Sequence, residues 1–307
     1  MVEIADVAEL DCIYLTYDEP RADEFWAKIR AHAPWAKRVH GVKGSDAAHK
    51  AAAAASDTER FILIDGDNLP DFAFFNEQLR IDQTNDSCVF RWRARNHING
   101  LSYGNGGISS WTKTYVENMR SHEATDGSDS TTVEFCFDTR YWAMHDIYST
   151  TYPNQSRYHA WRAGFREGVK MCLDQGRRLT PAEFESTWHG NRRNLEIWCS
   201  VGEDVEYGHD AIVGARYGAW RVMFDDNWDH TEVRDFDKLK DIYENFVMND
   251  EKTLLLINRL GLNIIDLTAE QSAWYKEHQT PYKNIDIMLP ERDYDRIIND
   301  AARQRWR

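Results

Sequence analysis

Two carboxylates one residue apart, Asp65-Gly66-Asp67, follow the strand-like run Arg60-Phe61-Ile62-Leu63-Ile64. Such a pair at the end of a buried strand suits a hard divalent cation, which keeps several waters and takes its other ligands from a diphosphate. Gly66 leaves bare backbone between the two acids, so a ligand can come close. Asp-Gly is also a strong hairpin signal. The residues that follow, Leu69-Pro70-Asp71-Phe72 with Phe74 and Phe75, do not alternate as a return strand would, so the metal-site reading is preferred.

A second group of chemistry-bearing residues lies in Tyr158 to Lys170. On a helix Arg162 and Arg166 share a face and Lys170 continues it, a stripe able to hold the phosphates of a nucleic-acid acceptor or of a donor. Trp161 and Phe165 share another face and read as core. Glu167 is a candidate general base.

The elements that position these residues follow from periodicity. Cys12 to Tyr17 reads as a central strand ending at the turn-prone Asp18-Glu19-Pro20, and residues 21–33 carry Phe25, Trp26 and Ile29 at helical spacing. Ser45 is expected to cap an alanine-rich helix reaching about Ser56. With 60–64 as the next strand, the alternation is that of an α/β sheet. Strands are expected at 88–92 and 131–137, a loop at Gly104–Gly107, and a helix from Thr112 to Ser121 with Tyr115, Val116 and Met119 inward. From about Tyr158 the chain reads as largely helical, over 158–174, 181–199, 236–249 and 250–260. The expected organisation is an α/β catalytic domain over 1–220 and a mainly helical extension over 221–307.

A strand near the N-terminus, a helix-rich stretch and a second strand closing on D-x-D resembles the layout of GT-A-type glycosyltransferases, over roughly the first two-thirds of the chain. The resemblance implies a Rossmann-like mixed sheet flanked by helices, with Mn2+ or Mg2+ and a nucleotide sugar, UDP-linked first among them, as cofactor and co-substrate. Asp65 would contact ribose and metal, and Asp67 the metal. Tyr14, Thr16 and Asp18 match the place where that family binds the nucleotide base; Lys43, His49 and Lys50 could also touch nucleotide, or be a surface lysine pair and a helix-face histidine. Tyr103-Gly104-Asn105-Gly106-Gly107-Ile108 resembles the glycine segment beside the donor sugar, with Gly106 and Gly107 against it, or builds a plain β-turn. A downstream acid would serve as general base, Asp204 first and Glu203 beside it, unless Gly202 to Glu206 is only an acidic loop before a helix near His209. A late histidine, His189 or His209, would complete the metal shell, His189 being preferred.

The phrases Tyr14 to Pro20, Gly41 to Ser56, Asp65 to Asn68 and Phe165 to Lys170 resemble a group of bacteriophage-encoded glycosyltransferases suspected of modifying hydroxymethylated pyrimidines in phage DNA. That implies 5-hydroxymethylcytosine or a related base in DNA as the acceptor of a hexose or pentose. Other glycan, protein or small-molecule acceptors, and a non-catalytic nucleotide-sugar-binding protein, stay open. A nucleotidyltransferase is disfavoured by the lack of an N-terminal glycine-rich pyrophosphate signature.

Composition limits these readings. The 307 residues are 42% hydrophobic and 29% charged, and no run approaches the ~20 apolar residues of a membrane span, so no membrane partner is expected. The first residues show no basic and apolar leader pattern, which predicts a cytoplasmic protein. Cys12, Cys88, Cys136, Cys172 and Cys199 are scattered and suggest neither a disulfide framework nor a zinc ribbon. A net charge of -14 opposes long, non-specific contact with nucleic acid, although arginines gather in mid-chain.

Overall fold

The computed structural model describes residues 2–102, 107–121, 140–174, 176–187 and 189–279. They form two compact units, one made of the described residues up to 97 and those between 102 and 155, the other of 98–101 and those from 156 onward.

In the first unit the elements run β1 Glu3–Asp6, β2 Asp11–Thr16, α1 Ala22–His32, β3 Lys37–His40, α2 Ser45–Ala55, β4 Arg60–Asp65, β5 Asn68–Pro70, β6 Gln78–Ile81, β7 Val89–Asn96, β8 Ile108–Thr112, α3 Lys113–Asn118 and β9 Tyr141–Thr151. Strands β1 and β6 pair with each other, and the other seven make one mixed sheet in the order β3-β2-β4-β8-β7-β9-β5. The first three are parallel, as crossover helices α1 and α2 require. Strand β8 runs antiparallel to both neighbours, and β7 pairs β9 in parallel. This is the mixed, helix-flanked α/β sheet of the GT-A type.

Alternate residues of the strands build two cores. One face carries Cys12, Tyr14, Ile62, Ile64, Phe90, Trp92 and Ile108 against Phe25 and Ile29 of α1 and against Phe74. The other carries Ile13, Phe61, Leu63, Val89 and Trp111 against Ala52 and Ala53 of α2 and Tyr115 and Val116 of α3. Because β4 is covered on both faces, it reads as an unbroken apolar run rather than as an alternation. The cap expected at Ser45 is instead Gly44, whose φ of 92° is one that glycine adopts freely; Ser45 is the first helical residue.

The sheet must curl. Strand β5 follows β4 after Gly66 and Asp67 alone, yet it lies four interstrand steps away in the strand order. In a flat sheet that is about 19 Å, whereas the three Cα steps from Asp65 to Asn68 span at most about 11 Å. The β9–β5 edge therefore wraps back toward the carboxyl end of β4, and Asp65-Gly66-Asp67 bridges the mouth of the curl.

The second unit contains α4 Arg157–Met171, the two-residue strands β10 Leu173–Asp174 and β11 Arg177–Arg178, α5 Pro181–Phe184, α6 His189–Trp198, α7 Gly208–Phe224, α8 Phe236–Asn245, α9 Asp250–Leu260 and α10 Ala269–His278. The helix expected over 181–199 is thus two helices. Trp161 and Phe165 are buried as expected, stacked at 4.8 Å within an aromatic cluster that includes Tyr217 and Trp228. No helix among the described residues is long and apolar enough to cross a membrane.

Candidate functional site

Everything around Asp65-Gly66-Asp67 serves to hold that turn. The Tyr14 hydroxyl, inside the core, donates to the Gly66 carbonyl at 2.8 Å. The Asp65 N–H donates to the Gly107 carbonyl at 2.9 Å, which ties the turn to the start of β8, and the Tyr152 N–H donates to the Asp67 carbonyl at 2.7 Å. The Thr151 hydroxyl donates to the Asp67 carboxylate at 3.2 Å. The anchors come from β2, from the residue before β8 and from the end of β9, so the turn is fixed by the sheet as well as by its own residues.

The site is more acidic than its sequence pair. The Glu19 carboxyl group lies over Gly66, where a Cβ would stand 2.6 Å from its Cδ. The Tyr17 N–H holds it there at 2.7 Å. A side chain between the aspartates would have to push aside the third acid above them. Burial raises the Glu19 carboxyl above the ordinary range, with the charge of Asp67 acting in the same sense and the Tyr17 hydrogen bond opposing. Asp65 exposes surface to solvent at the end of β4. Burial first, and then the charges of Asp67 and Glu19, push its carboxyl up to about 7, while Arg91 draws it down.

Among the described residues no three His, Cys, Asp or Glu side chains form a ready-made metal cage. Two carboxylates facing solvent, with waters and phosphate oxygens left to complete the shell, are the donor set Mg2+ uses in phosphoryl sites. Asp65 and Asp67 fit that set. His189 opens α6 in the second unit. Gly106 lies outside the described residues, whereas Gly107, with φ +72°, has Asn68 against it so closely that a Cβ would fall 1.9 Å from Nδ2.

Other expected residues have found work within the fold. Tyr14 is fully buried, stacked on Trp26 at 6.0 Å, so its place in the site is as the support of Gly66. Thr16 is buried and contacts His40 Nδ1 at 2.9 Å and Arg38 Nε at 3.1 Å. Asp18 and Lys43 are exposed. His49 bonds through Nδ1 to the Ser45 carbonyl at 2.7 Å and meets Trp111 edge-on at 5.2 Å. In the second unit Asp204 pairs with Lys276 at 2.5 Å, Glu203 with His209 at 2.6 Å and Glu167 with Lys170 at 3.6 Å. Arg162 and Arg166 stack on Phe236 at 4.3 and 5.2 Å, which makes their stripe partly a packing surface.

Glu19, Arg91, Thr151 and Tyr152 were not singled out for the site from sequence. Glu19 stood in the turn after β2, and Arg91 among the mid-chain arginines. A carboxylate three residues beyond the end of β2 was the available signal for Glu19.

No protein-family model matches the chain, and no curated protein matches it in sequence. Among solved structures, a glycosyltransferase involved in the glycosylation of the major capsid of PBCV-1 is 13% identical, over 48% of this chain and 94% of that one, with a TM-score of 0.30. HddC from Yersinia pseudotuberculosis is 17% identical, over 46% of this chain and 72% of that one, with a TM-score of 0.26. Likenesses at such TM-scores carry no weight on function.

Proposed function

We propose that the chain is a glycosyltransferase that moves a sugar from a nucleoside-diphosphate donor to an acceptor hydroxyl, with Asp65 and Asp67 holding a divalent cation against the diphosphate. The observation that carries this reading is the placement of two solvent-facing carboxylates at the carboxyl end of β4, in the mouth of a curled α/β sheet, where ligands of such sheets bind. Bound there, Mn2+ or Mg2+ would neutralise charge that develops on the departing diphosphate. The chain's own residues supply the rest. Tyr14, Gly107 and Tyr152 keep the aspartates from moving, and Glu19 closes the face of Gly66.

The acceptor hydroxyl needs a base, and on the sequence resemblance alone Asp204 is put ahead of Glu203 and Glu167. Its Oδ1 is buried without a hydrogen bond while Oδ2 is held by Lys276. Loss of a base lowers kcat and spares donor affinity, which is the result expected of Asp204→Asn. A hydroxymethylpyrimidine in DNA is the proposed acceptor on the sequence resemblance alone. Mass spectrometry of hydroxymethylcytosine-containing DNA after incubation with a panel of UDP and GDP sugars tests it, and unchanged DNA with every donor would remove that acceptor.

Metal-dependent hydrolysis of a nucleotide sugar tests the donor half directly. Asp67→Ala should lower the rate at least ~100-fold, as the loss of electrostatic support for a leaving group does. Wild-type turnover by Asp67→Ala, or turnover indifferent to added chelator, would refute the reading.

A further inference from the structure

Arg91 stands on β7 opposite Ser109 of β8, and Ser109 stands opposite Leu63 of β4, so these three side chains share the sheet face on which Asp65 projects two residues further on. The side chain is half-buried. Its guanidinium lies 3.6 Å from the centre of the Tyr141 ring and 5.9 Å from that of Trp111. It makes no hydrogen bond or ion pair among the described residues. Its charge is felt at Asp65, which it pulls toward the ionised form, yet no ion pair joins them.

A half-buried guanidinium whose N–H groups meet no protein acceptor among the described residues keeps its donors for water or a ligand. The aromatic face of Tyr141 fixes the plane of the fork. What such a planar, oriented fork recognises is an oxyanion with two oxygens at matching spacing. The electrostatics call for one as well. Asp65, Asp67 and Glu19 crowd one sheet edge, and a diphosphate entering it meets carboxylates first. A cation is needed on the side of the site away from them.

We propose that Arg91 binds the diphosphate oxygens of the donor, opposite the aspartates, and fixes the diphosphate in one orientation. This deepens the donor reading given above and rests on it for the identity of the diphosphate. A lysine at this position would keep the charge but lose both the stack on Tyr141 and the two-pronged grip, so the assignment is specific to arginine.

Titration calorimetry on the full chain in Mn2+, with inorganic pyrophosphate, UDP, GDP, uridine, UDP-glucose and UDP-glucuronate as probes, decides the matter. Arg91→Gln should weaken binding of pyrophosphate and of whichever nucleoside diphosphate the wild type prefers by roughly 10- to 100-fold, the range of a charge-assisted pair. Mn2+ alone and the bare nucleoside should bind as before, and Arg91→Lys should recover only part of the loss. A ligand-free melting curve identifies any variant that fails to fold, in which case Arg91→Lys, which keeps the stem and the charge, carries the comparison. Wild-type affinity in Arg91→Gln overturns the assignment and leaves glycosyl transfer standing. A loss confined to UDP-glucuronate overturns it also, because the ligand would then be a sugar carboxylate. Arg91-dependent diphosphate binding with no donor turnover supports Arg91 and refutes the transferase reading; no binding of any anion by the wild type refutes both.

Discussion

Tyr14 shows how a residue can be indispensable to a site without entering it. Its hydroxyl is the buried donor to the Gly66 carbonyl, and burial pushes its ionisation upward, so it stays a neutral donor at every pH of interest. Tyr14→Phe leaves that carbonyl short of a partner and should cost about 1–3 kcal/mol in urea unfolding. A change below about 0.5 kcal/mol would mean the bond contributes less than an ordinary one. Asp65 gives a prediction of the opposite kind, since its carboxyl is raised to about 7 by burial and by neighbouring acids. In the unfolded chain a carboxyl titrates near ~3.9. Between about pH 4 and pH 7 the native state therefore binds the more protons, and stability falls as pH rises through that window. Asp65→Asn carries no such titration. With neither metal nor nucleotide present, the melting temperature of the wild type should drop relative to that of the variant across the window, and parallel curves would contradict the raised value.

The seam of α4 and α7 depends on four glycines. A Cβ at Gly164 would lie 2.0 Å from the Ala211 carbonyl oxygen and one at Gly168 2.3 Å from that of Ala215; Gly214 and Gly218 stand equally close to Trp161 and Phe165 carbonyls, at 2.2 Å each. Two effects compete in Gly168→Ala. Helix propensity favours alanine by ~1 kcal/mol, while overpacking costs ~1–3 kcal/mol or more. Here the obstructing atom is backbone of a packed helix and cannot swing aside, so packing wins. The variant should lose urea stability, and an unchanged or higher midpoint would show that the helices can part without penalty. Legibility at this scale followed periodicity. Strands β2 and β4 were readable as short unbroken apolar runs, and helices α1, α4 and α9 because each carries the helical period from end to end. Strand β8 was hidden between a glycine-rich stretch and the Thr112 cap of α3, so Ser109 to Trp111 were assigned to no element. Strand β9 shows no alternation, and its pairing with β7 shifts register twice, which erases the period that would announce it.

At the scale of the molecule, the candidate site was legible only as far as it is local. Asp65 and Asp67 are neighbours in sequence and end a recognisable strand, whereas Glu19 arrives from the loop after β2 and Arg91 from β7, and only the pairing of β2, β4, β8 and β7 makes them parts of one place. Net charge, by contrast, is plain from the sequence: 51 acidic against 37 basic residues give -14. Duplex DNA approaching such a surface is repelled at long range, so if a base in DNA is the acceptor it must be held by few phosphate contacts and by the base itself, drawn out of the stack. Each phosphate neutralised by a lysine or arginine contributes about -0.9 to the slope of log affinity against log salt. A basic DNA-binding face with 6–10 contacts would show a slope of roughly -5 to -9. For this protein, hydroxymethylcytosine-containing duplex followed by fluorescence anisotropy over ~50–200 mM salt should give a slope shallower than about -3. Binding should fall more when the hydroxymethyl group is removed than when salt is doubled. A slope steeper than about -5 would place a concentrated basic surface on a molecule whose overall charge opposes it, and would return the arginines of α4, now stacked on Phe236, to the role of phosphate ligands.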